Sequence, residues 1–426
     1  MSRVIVIGAG PMGLATAWHA SRAGHDVVVL EADGVPGGMA AHFDFGGVSI
    51  ERFYHFICKP DRATFELMAE LGIADRVRWR ATSMGYFIGG KLYKWGDPVA
   101  LLTFPLLGLA DKFRYARHVF RASKRRDWEK LERLNVREWI IEEAGETVWN
   151  LLWRRSFELK FYEFTDLIAA PWLGFRIKRL AASRRSIFQE ELGYIDGGTE
   201  VLVEALVKAI RANHGKVLCH EPAQQVEVRD GRVVGVRTPS SWHDADHVVS
   251  TMAIPYVIKL IPDLPEEHRA KLNAIRNIGV VCVVFKLKKS VTPHFWVNIN
   301  DPRIEVPGIV EFSRLRPTGA CIVYVPFYMP QDNPKFSRND QAFIDESKNV
   351  LKIMNPDISD DDFLDAALGR IRYAQPVCEP GFSSRLPPIQ TPILGLQIAD
   401  TSFYYPEDRG VSESVRLAKQ MANRIV

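Results

Sequence analysis

The hydrophobic pattern is most regular at the start of the chain. Arg3 to Ile7 is a short run of β-branched residues without polar alternation, which predicts a strand buried on both faces. Gly8-Ala9-Gly10-Pro11-Met12-Gly13 follows and opens an Ala-rich helical stretch, Leu14 to Ala23. Gly24-His25-Asp26 turns the chain into a second apolar strand, Val27 to Leu30, ending on Glu31. Helical spacing predicts helices over 61–71, 112–126, 201–213, 339–353 and 411–424, and a mainly helical, aromatic-rich block over 128–194. Strands are expected at 216–219, 223–228, 246–251, 279–287, 308–313, 320–327 and 395–400, with a hairpin over 86–95 around Gly89-Gly90.

Strand, glycine turn, helix, second strand and terminal acid form a dinucleotide-binding fingerprint in register. Gly8 permits the tight turn, Gly10 lets backbone approach a pyrophosphate, and Gly13 lets helix and strand pack closely. Pro11 and Met12 begin the helix, whose unpaired N–H groups suit phosphates. Glu31, with Ala32 beside it, is placed to accept from an adenosine ribose, and its charge argues against the 2′-phosphate of NADP.

With the continuation Gly34-Val35-Pro36-Gly37-Gly38, the sequence resembles the flavin-containing amine oxidase, protoporphyrinogen oxidase and phytoene desaturase superfamily, with UDP-galactopyranose mutases more distant. That resemblance implies FAD. Gly37 and Gly38 would let backbone approach its pyrophosphate, while Val35 and Met39 stand where the family usually has arginines. It puts Tyr54, His55 and Phe56 beside the isoalloxazine and the Val226 backbone against adenine. Asp400 would hold the ribityl or pyrophosphate region, and the helix start Gly410, Val411 and Ser412 would point at the flavin N1–C2=O edge. Lys160 and Arg176 become candidates for an anionic substrate group, and in a nucleotide-sugar mutase Tyr404 and Tyr405 with the arginines would clamp a diphosphate. The bland readings are a core histidine for His55, salt bridges for Lys160 and Arg176, and a buried thiol for Cys58, which could otherwise link a flavin covalently. Gly279 stands where the amine oxidases keep a lysine.

The fold class implied is α/β: a Rossmann-like FAD-binding domain of the p-hydroxybenzoate hydroxylase/glutathione reductase type with an inserted α+β substrate domain. The FAD-binding part is expected at 1–85, 195–260 and 385–426, and the substrate part at 86–194 and 261–384. The 426 residues are too many for one core.

Charge changes the picture at one place. The net charge is +4, yet Asp111 to Asp127 holds seven Lys or Arg against two Asp, directly after the apolar stretch Pro98 to Ala110. That pairing suits peripheral contact with an anionic membrane through 98–126; the bland reading is a core segment with a solvated face. Five scattered cysteines support neither a disulfide framework nor a metal site. With a strand at residue 3 and no long apolar run, no signal peptide or membrane span is expected, and the chain is expected to be cytoplasmic, at most peripheral on the inner face of the membrane. No nucleic-acid partner is expected.

One dinucleotide motif and no redox CxxxxC favour an FAD-dependent oxidoreductase taking hydride from an apolar or amphipathic, lipid-like small molecule to flavin N5. The alternatives are a non-redox flavin mutase acting on a nucleotide sugar, and a non-catalytic binding module resembling GDP-dissociation inhibitors.

Overall fold

A computed structural model describes residues 1–425. The opening apolar run forms the strand Arg3–Ile7, at the centre of a five-stranded sheet. The order is Leu396–Ile398, His247–Ser250, Arg3–Ile7, Asp26–Leu30, Lys216–Leu218, and every pairing is parallel. Parallel sheets need cover on both faces, which explains why Val4 to Ile7 are all apolar and buried. The helix Pro11–Arg22 packs against the C-terminal helix Val411–Ala422 and against Glu200–Ala212. Its contact residues Leu14, Ala15, Ala17 and Ala20 are mostly small, so the helices approach closely. This is the expected Rossmann-like architecture.

The second sheet has seven strands in the order Phe363–Pro376, Asn277–Leu287, Cys321–Met329, Gly308–Glu311, Trp296–Asn300, Met84–Ile88, Lys91–Trp95. In Asn277–Leu287 alternate side chains face opposite ways. Val281, Val283 and Phe285 join the core containing Phe343, Val350 and Leu351 of the helix Asp340–Met354, whereas Val280, Cys282 and Val284 join the larger core on the other face. Two of these strands, Trp296–Asn300 and Phe363–Pro376, were not expected from the sequence. The domain boundary expected at residue 85 cuts the strand Met84–Ile88, which belongs wholly to this sheet. The helices Leu109–Lys124, Val136–Ala144, Arg154–Phe161 and Ala170–Ser183 enclose an aromatic core that includes Trp139, Phe157, Phe161 and Trp172. All five cysteines are free.

Candidate active site

Both sheets open onto one cavity of about 1470 Å³. Typical ligand pockets run to roughly 300–1,000 Å³, so a dinucleotide and a second molecule can share this one. At one end stands the glycine turn. Gly8 has φ +102°, and a Cβ on Gly13 would overlap the Gly8 carbonyl, so helix and strand meet there without side chains. A Cβ on Gly10 would meet no protein atom within 4 Å, because that residue faces the cavity. Gly38 packs on Gly10, its Cβ position 3.2 Å from the Gly10 Cα, and the Gly37 N–H donates to the Ala9 carbonyl at 2.8 Å. The Glu31 carboxylate accepts from the N–H groups of Ala9 (2.7 Å) and Asp33 (2.9 Å). Two of its roughly four lone-pair sites therefore remain for a ribose. Bare backbone, a helix N-terminus and an acid at the end of the second strand fit a dinucleotide.

At the other end, Asp400 lies on the cavity wall and accepts from the N–H groups of Ile254 (3.0 Å) and Ser402 (2.8 Å); burial pushes its pKa up. Gly410 and Val411 bring the N-terminus of the last helix to the same wall. Tyr54, His55 and Phe56 line the cavity together. The Tyr54 hydroxyl is hydrogen-bonded to Tyr328, and its ring meets Trp296 and Tyr324 edge-on at 5.5 and 5.6 Å. Burial lowers the pKa of His55, and its Nδ1 has no protein partner. Phe56 packs edge-on against Phe295 and beneath the Arg179 guanidinium.

Residues 13–363 match the model of the flavin-containing amine oxidoreductase family. The chain belongs to this family. Its cofactor is FAD, and the family is one of FAD-dependent oxidoreductases. The 15-cis-phytoene desaturase of Arabidopsis thaliana is 25% identical over 304 residues, covering 66% of this chain and 53% of the desaturase. This chain thus spans about half the length of that relative. The desaturase of Synechococcus elongatus is 24% identical over 68% of this chain and 66% of its own. Among solved structures, a candidate protoporphyrinogen oxidase from Exiguobacterium has a TM-score of 0.78 at 17% identity, covering 100% of this chain and 98% of that one. Cyclohexylamine oxidase from Brevibacterium oxydans has 0.68 at 16% identity, covering 99% and 98%.

In this family member the remaining sequence-predicted residues divide. Gly8, Gly10, Pro11, Met12, Glu31, Ala32, Gly38 and Met39 are on the cavity wall, whereas Gly13 and Gly37 act by packing behind it. Val226 is fully buried in an antiparallel ribbon opposite Val236, away from the cavity; Pro222 and Ala223 line the wall in its place. Ser412 is also off the wall, since the helix turns it inward. Tyr404 lines the cavity and its hydroxyl meets Ser414 at 2.8 Å, but Tyr405 points the other way, donates to Glu132 at 2.7 Å and packs on Phe382. The two tyrosines therefore form no clamp. Gly279 faces Phe336, behind the sheet, and the cavity-facing positions of its strand are Val280 and Cys282. Cys58 is buried off the wall, its thiol pushed up to about 12 by burial, so it packs as an apolar side chain.

Lys160 and Arg176 both reach the wall, but Arg176 is paired with Asp408 at 2.8 Å and stacks 3.5 Å above the Trp172 ring. Among the polar wall residues that escaped the sequence reading are Asp61, Arg179, Asp408 and Arg409. Asp408 and Arg409 directly precede the glycine that opens the last helix, and that adjacency was the available signal.

Proposed function

We propose that this protein takes hydride from a C–H bond of an apolar or amphipathic substrate rather than from an amine. The observation that carries the reading is the wall itself: Trp95, Leu152, Phe157, Trp172, Val280 and Cys282 surround the space beside Tyr54 and His55. FAD, when bound, supplies the hydride acceptor. The protein's own residues orient the substrate and exclude water. The last helix aims its unpaired N–H groups, with their partial positive charge, into the same space. The neutral His55 imidazole offers an unpartnered nitrogen there. The desaturase relatives support an apolar substrate, and the divergent Tyr404 and Tyr405 speak against the nucleotide-sugar mutase. The retained glycines and Glu31 speak against the binding module. Anaerobic addition of polyprenyl and long-chain lipid substrates is expected to bleach the oxidised flavin spectrum. Bleaching by amines alone, or UDP-sugar isomerisation without net redox, would overturn the proposal.

The cavity mouth supports contact with an anionic bilayer. Leu102, Leu109, Phe113 and Phe120 are 65%, 78%, 69% and 65% exposed, and all four also line the cavity. Arg114, Arg117, Arg121 and Lys124 are exposed on the same helix as the last three. Apolar side chains ringed by cations suit insertion beneath phosphate headgroups and would feed a lipid directly to the cavity. No helix among the described residues is long and apolar enough to cross a membrane. The L109E/F113E/F120E variant is expected to lose sedimentation with phosphatidylserine vesicles, on the order of 100-fold in partitioning, with FAD content retained. Undiminished vesicle binding by the variant would rule the face out.

A further inference from the structure

Away from the mouth, the cavity wall carries an imbalance of charge. Lys160, Arg176, Arg179 and Arg409 gather around two carboxylates, Asp61 and Asp408. Both carboxylates are engaged. Arg179 grips Asp61 through two bonds at 2.9 and 2.7 Å, Arg176 takes one oxygen of Asp408 at 2.8 Å, and the other lies 3.5 Å from Arg179. That leaves two cations over. Lys160 forms no ion pair among the described residues; its ammonium faces the rings of Tyr328, Trp172 and Phe161 at 4.8, 5.1 and 5.7 Å. Arg409 gives one N–H to the Ala374 carbonyl, and its Nε is buried without a partner. Both line the cavity. Burial, with Arg409 and Arg176 adding to it, holds the Lys160 pKa well below the usual amine range.

Charge in a desolvated pocket is costly without a counter-charge, so an arriving anion would both pair Arg409 and hold Lys160 in its protonated form. The cofactor's phosphates have their own cradle at the glycine turns, so the missing counter-charge falls to the second occupant. We propose that Lys160 and Arg409 receive the carboxylate of a long-chain acid. The acid's apolar tail runs along the helix face of Phe157 and Ser156, then past Leu152 and Trp95 toward the mouth. An ammonium and a planar guanidinium together match the two oxygens of a carboxylate, and a pure hydrocarbon would leave both donors unused. This inference rests on the oxidoreductase reading above and narrows it to acids.

The test is calorimetric binding to the oxidised holoenzyme, comparing palmitate with hexadecanol and hexadecane. Palmitate is expected to bind on the order of 10- to 100-fold tighter than the alcohol. Lys160→Met is expected to abolish that preference while FAD content and alcohol affinity stay as they were. Lys160→Arg is expected to restore it, and Arg409→Gln to weaken it in the same direction. Repeating the titration in buffers of different ionisation enthalpy should show proton uptake with palmitate in the parent and none in Lys160→Met. Equal affinity for acid and alcohol in the parent, or an undiminished preference in Lys160→Met, would overturn the proposal. Because no turnover is needed, the two readings fail separately. A protein that prefers the acid but is never reduced by it loses the oxidoreductase reading, and one reduced by hydrocarbons yet blind to the headgroup loses this subsite.

Discussion

Gly13→Ala protein is expected to purify colourless and to unfold well below the parent. The added methyl would overlap the Gly8 carbonyl oxygen, a backbone atom that cannot rotate away as a side chain can. Relief requires the helix Pro11–Arg22 to move off the strand Arg3–Ile7. Overpacking of this kind costs about 1–3 kcal/mol. Moving the helix also shifts the N–H groups meant for the pyrophosphate, so cofactor affinity falls with stability. Losing a ligand held at a hundredfold excess over its Kd removes about a further 2.7 kcal/mol. Thermal melts with and without added FAD separate the two effects: the parent should gain from the cofactor and the variant should not. A yellow variant with the parent's melting curve would show that the turn tolerates a side chain.

The second large effect is expected at Arg179. Its guanidinium, 13% exposed, holds Asp61 and touches Asp408, joining the Ala170–Ser183 helix to two loops of the nucleotide-binding part. Arg179→Met leaves a buried carboxylate without its cation, which costs about 3–5 kcal/mol. The loss should depend on pH. Burial raises the pKa of Asp408, but Arg176, Arg179 and the neighbouring cations outweigh it and bring the net value below the ordinary one. A carboxyl depressed in the folded state contributes stability above its unfolded pKa and loses it as pH falls through the folded value. The gap between parent and variant should therefore be widest near neutrality and narrow below roughly pH 3.9. Denaturant melts across that range measure it, and Asp61→Asn in the Arg179→Met background should recover part of the loss. A gap that stays constant with pH would mean the effect is packing alone.

The nucleotide end was legible because its signals are local. A buried strand, three glycines and an acid within Arg3 to Glu31 carry their geometry in their order. The strand Phe363–Pro376 was not, because Asp365, Ala366, Ala367 and Gly369 interrupt any alternation and it is held by one neighbour, Asn277–Leu287. Trp296–Asn300 does alternate and could have been found. Gly279 went astray through the strand's period of two, since a slip of one residue exchanges the cavity face for the back. Tyr405 shows the same limit: neighbours in sequence diverge in space, and nothing local says which of Tyr404 and Tyr405 turns inward. The charge cluster was hidden for a different reason, since its members come from residues 61, 160, 176–179 and 408–409 and meet only in the fold.

The parallel sheet draws its strands from three stretches of sequence, and the last, Leu396–Ile398, lies hundreds of residues after the first. On the ribosome, the opening strand and its helix emerge early but must wait for that last stretch and for the helix that covers Ala17 and Ala20. Throughout elongation the nascent chain carries an unsheltered apolar edge, the kind of surface that chaperones bind. A chain stalled before Leu396 should therefore stay colourless however much FAD surrounds it, and yellow colour should appear only once that strand and the helix Val411–Ala422 have left the ribosome.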